Sequence, residues 1–190
     1  MVSGRGQAKG CVATFIERKT RWYTAILIPD RSAKSMEEAV KLLHASLPKE
    51  AMKTATTDRG KEFSCYTALE KELGIQVYFA DPYSSWQRGS NENGNGLFRE
   101  FFPKKTNFDE VTTNQVNQAL QLINSRPRRC LGWKTAYEVF QEELLHLIRQ
   151  TIIHKKTIGR MPNRLFVLAI SGVPVGNQSL VPSLLRTIRR

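Results

Sequence analysis

The 190-residue sequence has few cysteines and no cluster of the residues that usually bind zinc. Cys11, Cys65 and Cys130 are far apart, with no CxxC pair and no His/Cys ligand spacing around them. This pattern disfavours a disulfide framework or a structural zinc site. We expect all three thiols to be free and buried, in the reducing cytoplasm.

Long hydrophobic runs are also missing. Residues 165–170 form an apolar run of six residues, far below the ~20 that a membrane-spanning helix needs. The first ten residues, MVSGRGQAKG, lack the apolar segment of a signal peptide. The sequence therefore predicts a cytoplasmic protein with no membrane partner.

Acidic residues are scarce and unevenly placed. The net charge is +12; residues 1–148 carry 21 basic and 17 acidic residues, whereas residues 149–190 carry 8 basic residues and no acidic one. Such an excess favours a nucleic acid partner. The change in composition predicts a main domain over 1–148 and a basic tail over 149–190. We expect the tail to be disordered or to be a read-through or frameshift fusion, and the alternative is a DNA-binding arm.

Hydrophobic periodicity and turn residues divide the main domain into strands and helices. The predicted strands are 11–17, 22–28, 51–57 and 75–79, and the predicted helices are 35–47, 64–73, 91–102, 112–125 and 135–147. Residues 3–10 are predicted to be a basic, glycine-rich loop. The order β-β-α-β-α-β-α-α-α predicts an α/β fold with a mixed sheet covered by helices.

Two acids stand out against this background. Asp58 follows a predicted strand, and Glu92 lies in the polar segment around NENGNG, where a helix would place Arg88, Asn95 and Arg99 on the same face. Acids that converge at the end of a strand can share a divalent cation, which serves phosphodiester chemistry. The alternative is ordinary: Asp58 as a turn residue and Glu92 as a solvated side chain.

Basic loops at 18–21 and 126–129 suit the handling of phosphate, although such a loop, taken singly, is more often a solvated surface. Six residues are candidates for binding DNA: Arg88, Asn95 and Arg99 of the segment around Glu92, and Arg126, Arg128 and Arg129 of the second loop. Aromatic residues near these clusters, Trp86, Trp133 and Tyr83, could stack on nucleobases. Packing in the core is the favoured interpretation for them.

Three segments resemble a known family. TTDRGKEF (56–63), YFADPYSSWQRGSNENGNGLFREFFPK (78–104) and INSRPRRCLGWKTAYEVF (123–140) resemble the DDE transposases of bacterial insertion sequences, most closely the insertion sequence thirty subgroup of the retroviral-integrase-like superfamily. The resemblance extends over about residues 2–148. It implies an RNase H-like mixed sheet flanked by helices and a place in the bacterial cytoplasm, at the nucleoid.

The resemblance also implies a mechanism. Asp58 and Glu92 would be the second and third acids of the Asp-Asp-Glu triad, holding Mg²⁺ or Mn²⁺ as catalytic and metal-binding residues. The family cuts DNA at the ends of the element with water, and the freed 3′-hydroxyl then attacks target DNA. Its members work as multimers, so DNA and further copies of the chain are the implied partners.

One departure from the family pattern bears on activity. The first triad aspartate would sit one or two residues before Met1, and no acid precedes Glu17. We therefore expect an N-terminally truncated fold and a defective enzyme, either a remnant or a sequence whose true start lies upstream. Asp30 and Asp81 could be substitutes, but structural roles are favoured for both. The alternatives are a DNA-binding, multimerising protein that inhibits the full-length transposase, and a nuclease of the same fold.

Overall fold

The computed structural model describes residues 2–3, 10–48, 51–82 and 84–157. Its strands are β1 (Val2–Ser3), β2 (Cys11–Ile16), β3 (Tyr23–Ile28), β4 (Thr54–Thr57) and β5 (Gln76–Phe79). Its α-helices are α1 (Ala33–Ser46), α2 (Tyr66–Leu73), α3 (Gly89–Phe101), α4 (Thr113–Asn124) and α5 (Ala136–Thr157). The predicted order of elements is confirmed, with β1 as an addition.

The strands include three that are antiparallel and a pair that is parallel. β1, β2 and β3 form an antiparallel sheet in which Val2 pairs with Val12 and Ile16 with Tyr23. β4 and β5 pair in parallel, because α2 connects them and returns the chain to the same edge. Ser3, predicted as part of the loop 3–10, instead pairs with Cys11 and, together with Val2, extends the antiparallel sheet.

The helices cover both faces of the antiparallel strands. Along β2, Cys11 and Ala13 join a cluster with Met36 of α1 and Leu69 of α2, whereas Val12 between them points to the opposite cluster. That opposite cluster is built from buried residues of α3 and α4, among them Phe98, Val116, Leu120 and Ile123. The alternation follows from the two-residue period of a strand.

α3 packs unusually closely on β3. A Cβ atom added at Gly94 would lie 2.5 Å from Cδ2 of Tyr23, so only glycine lets the helix approach this ring. Asn124, at the end of α4, fixes the backbone of the same tyrosine: its Oδ1 accepts from Tyr23 N at 3.0 Å, and its Nδ2 donates to Tyr23 O at 2.8 Å. The position of α3 is therefore set from the strand and from its neighbouring helix.

The length of α5 and the exposure of Cys130 differ from the predictions, and most of the predicted tail is not described. α5 extends to Thr157 rather than ending at residue 147, and residues 158–190 of the predicted tail lie outside the described residues. Cys11 and Cys65 are buried as predicted, but Cys130 is exposed, because it lies in the loop between α4 and α5. None of the helices in the described ranges has the length and hydrophobicity to cross a membrane.

Candidate active site

Asp58 lies at the carboxyl end of the parallel strand pair. It directly follows β4, and its Oδ1 accepts a hydrogen bond of 3.3 Å from the backbone N–H of Gly60. This contact holds the tight turn that leads into the short 3-10 helix Lys61–Phe63. The carboxylate is therefore anchored at an edge where open α/β sheets commonly bind ligands.

Arg88 connects Asp58 to α3. Its Nη1 lies 2.9 Å from Oδ2 of Asp58, with side-chain exposures of 31% for Arg88 and 40% for Asp58. Arg88 ends the short 3-10 helix Ser85–Arg88, which continues directly into α3. The ion pair thus brings the beginning of α3 next to the end of β4, four residues before Glu92.

Glu92 lies in the first turn of α3 and is exposed. Within the described ranges, no hydrogen bond or ion pair occupies its carboxylate. An acid at this position is favoured by the unpaired N–H groups at the start of a helix. Glu92 can therefore accept a ligand from solution without first breaking an internal contact.

The two carboxylates fit a magnesium site in part. Among the described residues no group of three His, Cys, Asp or Glu side chains is arranged to hold a metal ion. Magnesium sites on nucleotide or nucleic acid substrates often use one or two carboxylates, with phosphate and water as the remaining ligands. Asp58 and Glu92 could serve in this way, provided that Arg88 releases Oδ2 of Asp58.

The two acids considered as substitutes have other contacts. Asp30 precedes α1, and its Oδ1 accepts from Ser32 N at 2.9 Å and from Ser35 Oγ at 2.7 Å. Asp81 Oδ2 accepts from Gln87 Nε2 at 3.0 Å, which closes the loop after β5. These hydrogen bonds stabilise the start of α1 and the approach to α3.

The side chains that position α3 were not found from the sequence. Arg21, in the turn between β2 and β3, donates from Nη1 to Oγ of Ser90 in the first turn of α3. Tyr23 donates its hydroxyl proton to Oδ1 of Asn95 at 2.8 Å, and burial raises the pKa of this phenol well above its usual value. The basic turn 18–21 was a visible signal, but its contact is 69 residues away in sequence.

Among the candidate DNA-binding residues on α3, Asn95 and Arg99 differ in environment. Asn95 is half-buried and accepts from Tyr23, so its carbonyl oxygen already contributes to packing. Arg99 is exposed in the last turn of the helix. Arg99 is therefore more accessible to a phosphate than Asn95.

The arginines after α4 also differ. Arg126 forms an ion pair of 2.8 Å with Glu100 and lies over the ring of Phe101. Arg128 is half-buried and donates to the carbonyl of Ile123 at 3.3 Å. Burial lowers the pKa of Arg128, and the nearby charges of the other basic side chains lower it further.

Arg129 has a different setting from these two. Its side chain is exposed, in the short 3-10 helix Arg129–Leu131. Within the described ranges it has no acidic partner. Arg129 and Arg99 are thus the exposed arginines of the set for which no acidic partner occurs within the described ranges.

The prediction that the tryptophans pack in the core is wrong for Trp86 and Trp133. Their exposed fractions are 74% and 70%. Trp86 lies in the short helix before α3, and Trp133 in the loop before α5, where neither cluster of core residues reaches them. Tyr83 lies outside the described residues.

Comparison with known proteins agrees with this architecture. Residues 2–85 match the family described as Integrase core domain. Transposase InsI for insertion sequence element IS30A of Escherichia coli (strain K12) is 37% identical over 136 residues, which is 72% of this chain and 36% of that protein. The transposase for insertion sequence element IS4351 of Bacteroides fragilis is 38% identical over 136 residues, 70% of this chain and 41% of that protein.

A solved structure shows the same fold. The catalytic core domain of BIV integrase superposes with a TM-score of 0.54 at 20% identity, over 73% of this chain and 96% of that chain. The chain spans only about two fifths of the length of the transposases that it matches. Its fold is thus the RNase H-like fold of that core, and its sequence is similar to those of the two insertion-sequence transposases.

Proposed function

We propose that residues 1–148 form the catalytic core of a transposase that cleaves element ends and joins them to target DNA. The observation that carries the proposal is the ion pair between Arg88 and Asp58. It joins the strand end that bears Asp58 to the residue four before Glu92, which supports the binding of one cation by the two carboxylates. The relationship to the transposases supports DNA as the substrate.

Each residue has a separate task in this proposal. Asp58 and Glu92 would hold Mg²⁺ or Mn²⁺ between them, while Arg21 and Tyr23 keep α3 at its distance from β3. The cation, when bound, would activate the attacking oxygen and stabilise the leaving oxygen of a phosphodiester. Arg88, once released from Asp58, would offer its guanidinium to the same phosphate.

A site with two carboxylates is expected to be weak by itself. Two carboxylates hold a cation less tightly than three, so we propose that residues 1–190 are severely impaired in strand transfer. The weakness of a cation site with two carboxylates also favours a second, non-catalytic function. In that function the chain binds DNA and multimerises with a full-length transposase, which it thereby inhibits.

A strand-transfer assay with Mn²⁺ separates the two functions. Product is measured from a labelled element-end oligonucleotide joined to a supercoiled plasmid, for the natural chain and for Glu92→Gln. Catalysis predicts a small activity that Glu92→Gln abolishes. The control is Glu100→Gln, which removes a charge eight residues further along the same helix and should leave that activity in place.

The absence of strand-transfer product would favour the non-catalytic function. If no product forms and Glu92→Gln leaves DNA binding unchanged, the catalytic proposal fails for this chain. Addition of the chain to an active full-length transposase then tests the inhibitory function. Inhibition that rises with the concentration of the chain would support mixed assembly, whereas unchanged activity would refute it.

A further inference from the structure

The loop between α4 and α5, residues 126–135, combines strong positive charge with an exposed aromatic ring. Its sequence, RPRRCLGWKT, has four basic residues and no acidic one. Trp133 projects from it with 70% of its surface exposed. We refer to residues 126–135 as the Trp133 loop.

Trp133 occupies a backbone position that tryptophan rarely adopts. Gly132 and Trp133 have φ angles of 64° and 68°, and the N–H of Lys134 donates to the carbonyl of Leu131 at 3.3 Å. These features describe a mirror-image turn with two left-handed central residues, in which glycine is favoured at the second position. A large side chain there carries conformational strain.

The strain persists because the rest of the loop is well anchored. The N–H of Arg128 donates to Lys134 O at 3.0 Å, and the N–H of Trp133 donates to Arg128 O at 3.0 Å. Thr135 then caps α5 through its hydroxyl, which accepts from the N–H of Glu138 at 3.1 Å. The tryptophan is therefore held on a fixed support.

The fold gains little from this tryptophan. Trp22, by contrast, stacks on Phe140 with ring centroids 4.8 Å apart. No ring contact of that kind involves Trp133 within the described ranges, and it belongs to neither core cluster. A strained and exposed aromatic residue is better explained by a contact with another molecule.

The charge around the ring indicates the chemistry of that molecule. Arg129 is exposed in the same loop, and only some of the loop's positive charge is compensated, by Glu100 on Arg126 and by Glu142 on Lys134. A cationic surface repels an identical one and attracts a polyanion. An aromatic ring among arginines is typical of sites where an unpaired nucleobase stacks while its phosphate is bound.

We propose that the Trp133 loop binds single-stranded DNA, with Trp133 stacked on an unpaired base and Arg129 on the adjacent phosphate. The inference rests on DNA as the partner proposed above, but it does not depend on Asp58, Glu92 or a cation. Bases within a duplex are already stacked on their neighbours, so the loop selects frayed or single-stranded ends over intact duplex.

Binding measurements without a divalent cation test this selection. Fluorescence anisotropy is recorded in EDTA with a labelled single strand of about 15 nucleotides and with a duplex of the same length. Trp133→Ala should weaken single-strand binding by about 5- to 150-fold, with a smaller effect on the duplex. Trp133→Phe should retain most of the affinity, and Leu122→Ala, which truncates another exposed apolar side chain, should retain all of it.

Two further measurements separate binding from folding. Trp133→Gly relieves the strain, so its melting temperature should equal or exceed that of the natural chain while single-strand binding falls as in Trp133→Ala. Cys130 is exposed in the same loop, whereas Cys11 and Cys65 are buried. Alkylation of Cys130 should therefore slow when the single strand is bound.

Several results would overturn the inference. Single-strand affinity within twofold of the natural chain for Trp133→Ala, or unprotected Cys130, would remove the loop from the DNA interface. Dissociation of a dimer by Trp133→Ala in sedimentation velocity, with equal losses for both DNA forms, would assign the loop to a contact between copies. If neither DNA form binds the natural chain, DNA as the partner fails as well, whereas binding that ignores Trp133 refutes this loop alone.

Discussion

The contact between Arg88 and Asp58 makes a quantitative prediction about cation binding. A cation that binds Oδ2 of Asp58 must displace the guanidinium, which lies 2.9 Å away. Both side chains are partly exposed, and ion pairs of this kind contribute about 0.2–1 kcal/mol. Arg88→Gln should therefore tighten Mn²⁺ binding by about 1.4- to 5-fold, because the cation no longer competes with the arginine.

Removal of any positive charge near the site would also favour a cation, so a matched control is needed. Arg99→Gln removes one charge from the same helix, at a residue that is exposed and does not contact Asp58. Its effect measures the general electrostatic contribution. The excess of Arg88→Gln over Arg99→Gln is the contribution of the displaced ion pair.

Mn²⁺ titration followed by electron paramagnetic resonance measures these affinities directly, since free Mn²⁺ gives a signal that bound Mn²⁺ loses. Asp58→Asn and Glu92→Gln should each abolish the binding. In about 1 M salt the advantage of Arg88→Gln should shrink, because screening weakens the ion pair in the natural chain. Equal affinities for Arg88→Gln and Arg99→Gln at low salt would refute the displacement of Arg88 by the cation.

Two further predictions concern stability. Gly96→Ala should stabilise the chain against urea by about 0.5–1 kcal/mol, because no atom lies near the added Cβ. Gly94→Ala should destabilise it by about 1–3 kcal/mol, because its Cβ would meet the ring of Tyr23. Equal changes in the free energy of unfolding for the two variants would refute the close approach of α3 to Tyr23. Glu17 is partly buried, which raises its pKa, but hydrogen bonds, including those from Thr20 and the backbone of residue 19, hold that pKa below its ordinary 4.5. Its contribution is therefore present above pH 4.5 and lost as the pH falls through the lower folded pKa, so the urea midpoint of Glu17→Gln should approach that of the natural chain on acidification.

The fold was predictable where each segment carries its own pattern. β2 and β3 are dense in β-branched and aromatic residues, and Gly74 ends α2 in a left-handed conformation, with φ of 67°, as its position before β5 suggests. The helix around Glu92 was predictable despite three glycines, and Gly94 gives the reason for one of them. Local rules predict the strands and helix ends because these depend on neighbours in the sequence, whereas the need for glycine at position 94 depends on the distant Tyr23.

The site was less predictable, because its geometry depends on contacts between distant residues. Asp58 and Glu92 were identifiable as candidates, but the arginine between them in space could be assigned only from the structure. The same limit explains the error over Trp86 and Trp133. An aromatic residue is usually buried. The only sign in the sequence of the mirror-image turn that keeps Trp133 exposed is the glycine directly before it.

The cation site and the Trp133 loop depend on one helix. α3 is attached near its beginning to Asp58 through Arg88, in its middle to Tyr23 through Asn95, and near its end to Arg126 through Glu100. The two outer contacts are partly exposed ion pairs, which are weak, whereas the middle contact is half-buried and made by the tyrosine whose ring packs on Gly94. α3 is therefore fixed at its centre, and DNA or a cation can replace the outer partners without unfolding the helix. A phosphate that takes Arg88 from Asp58 would vacate the carboxylate oxygen that the cation needs, so substrate binding and cation binding should favour each other.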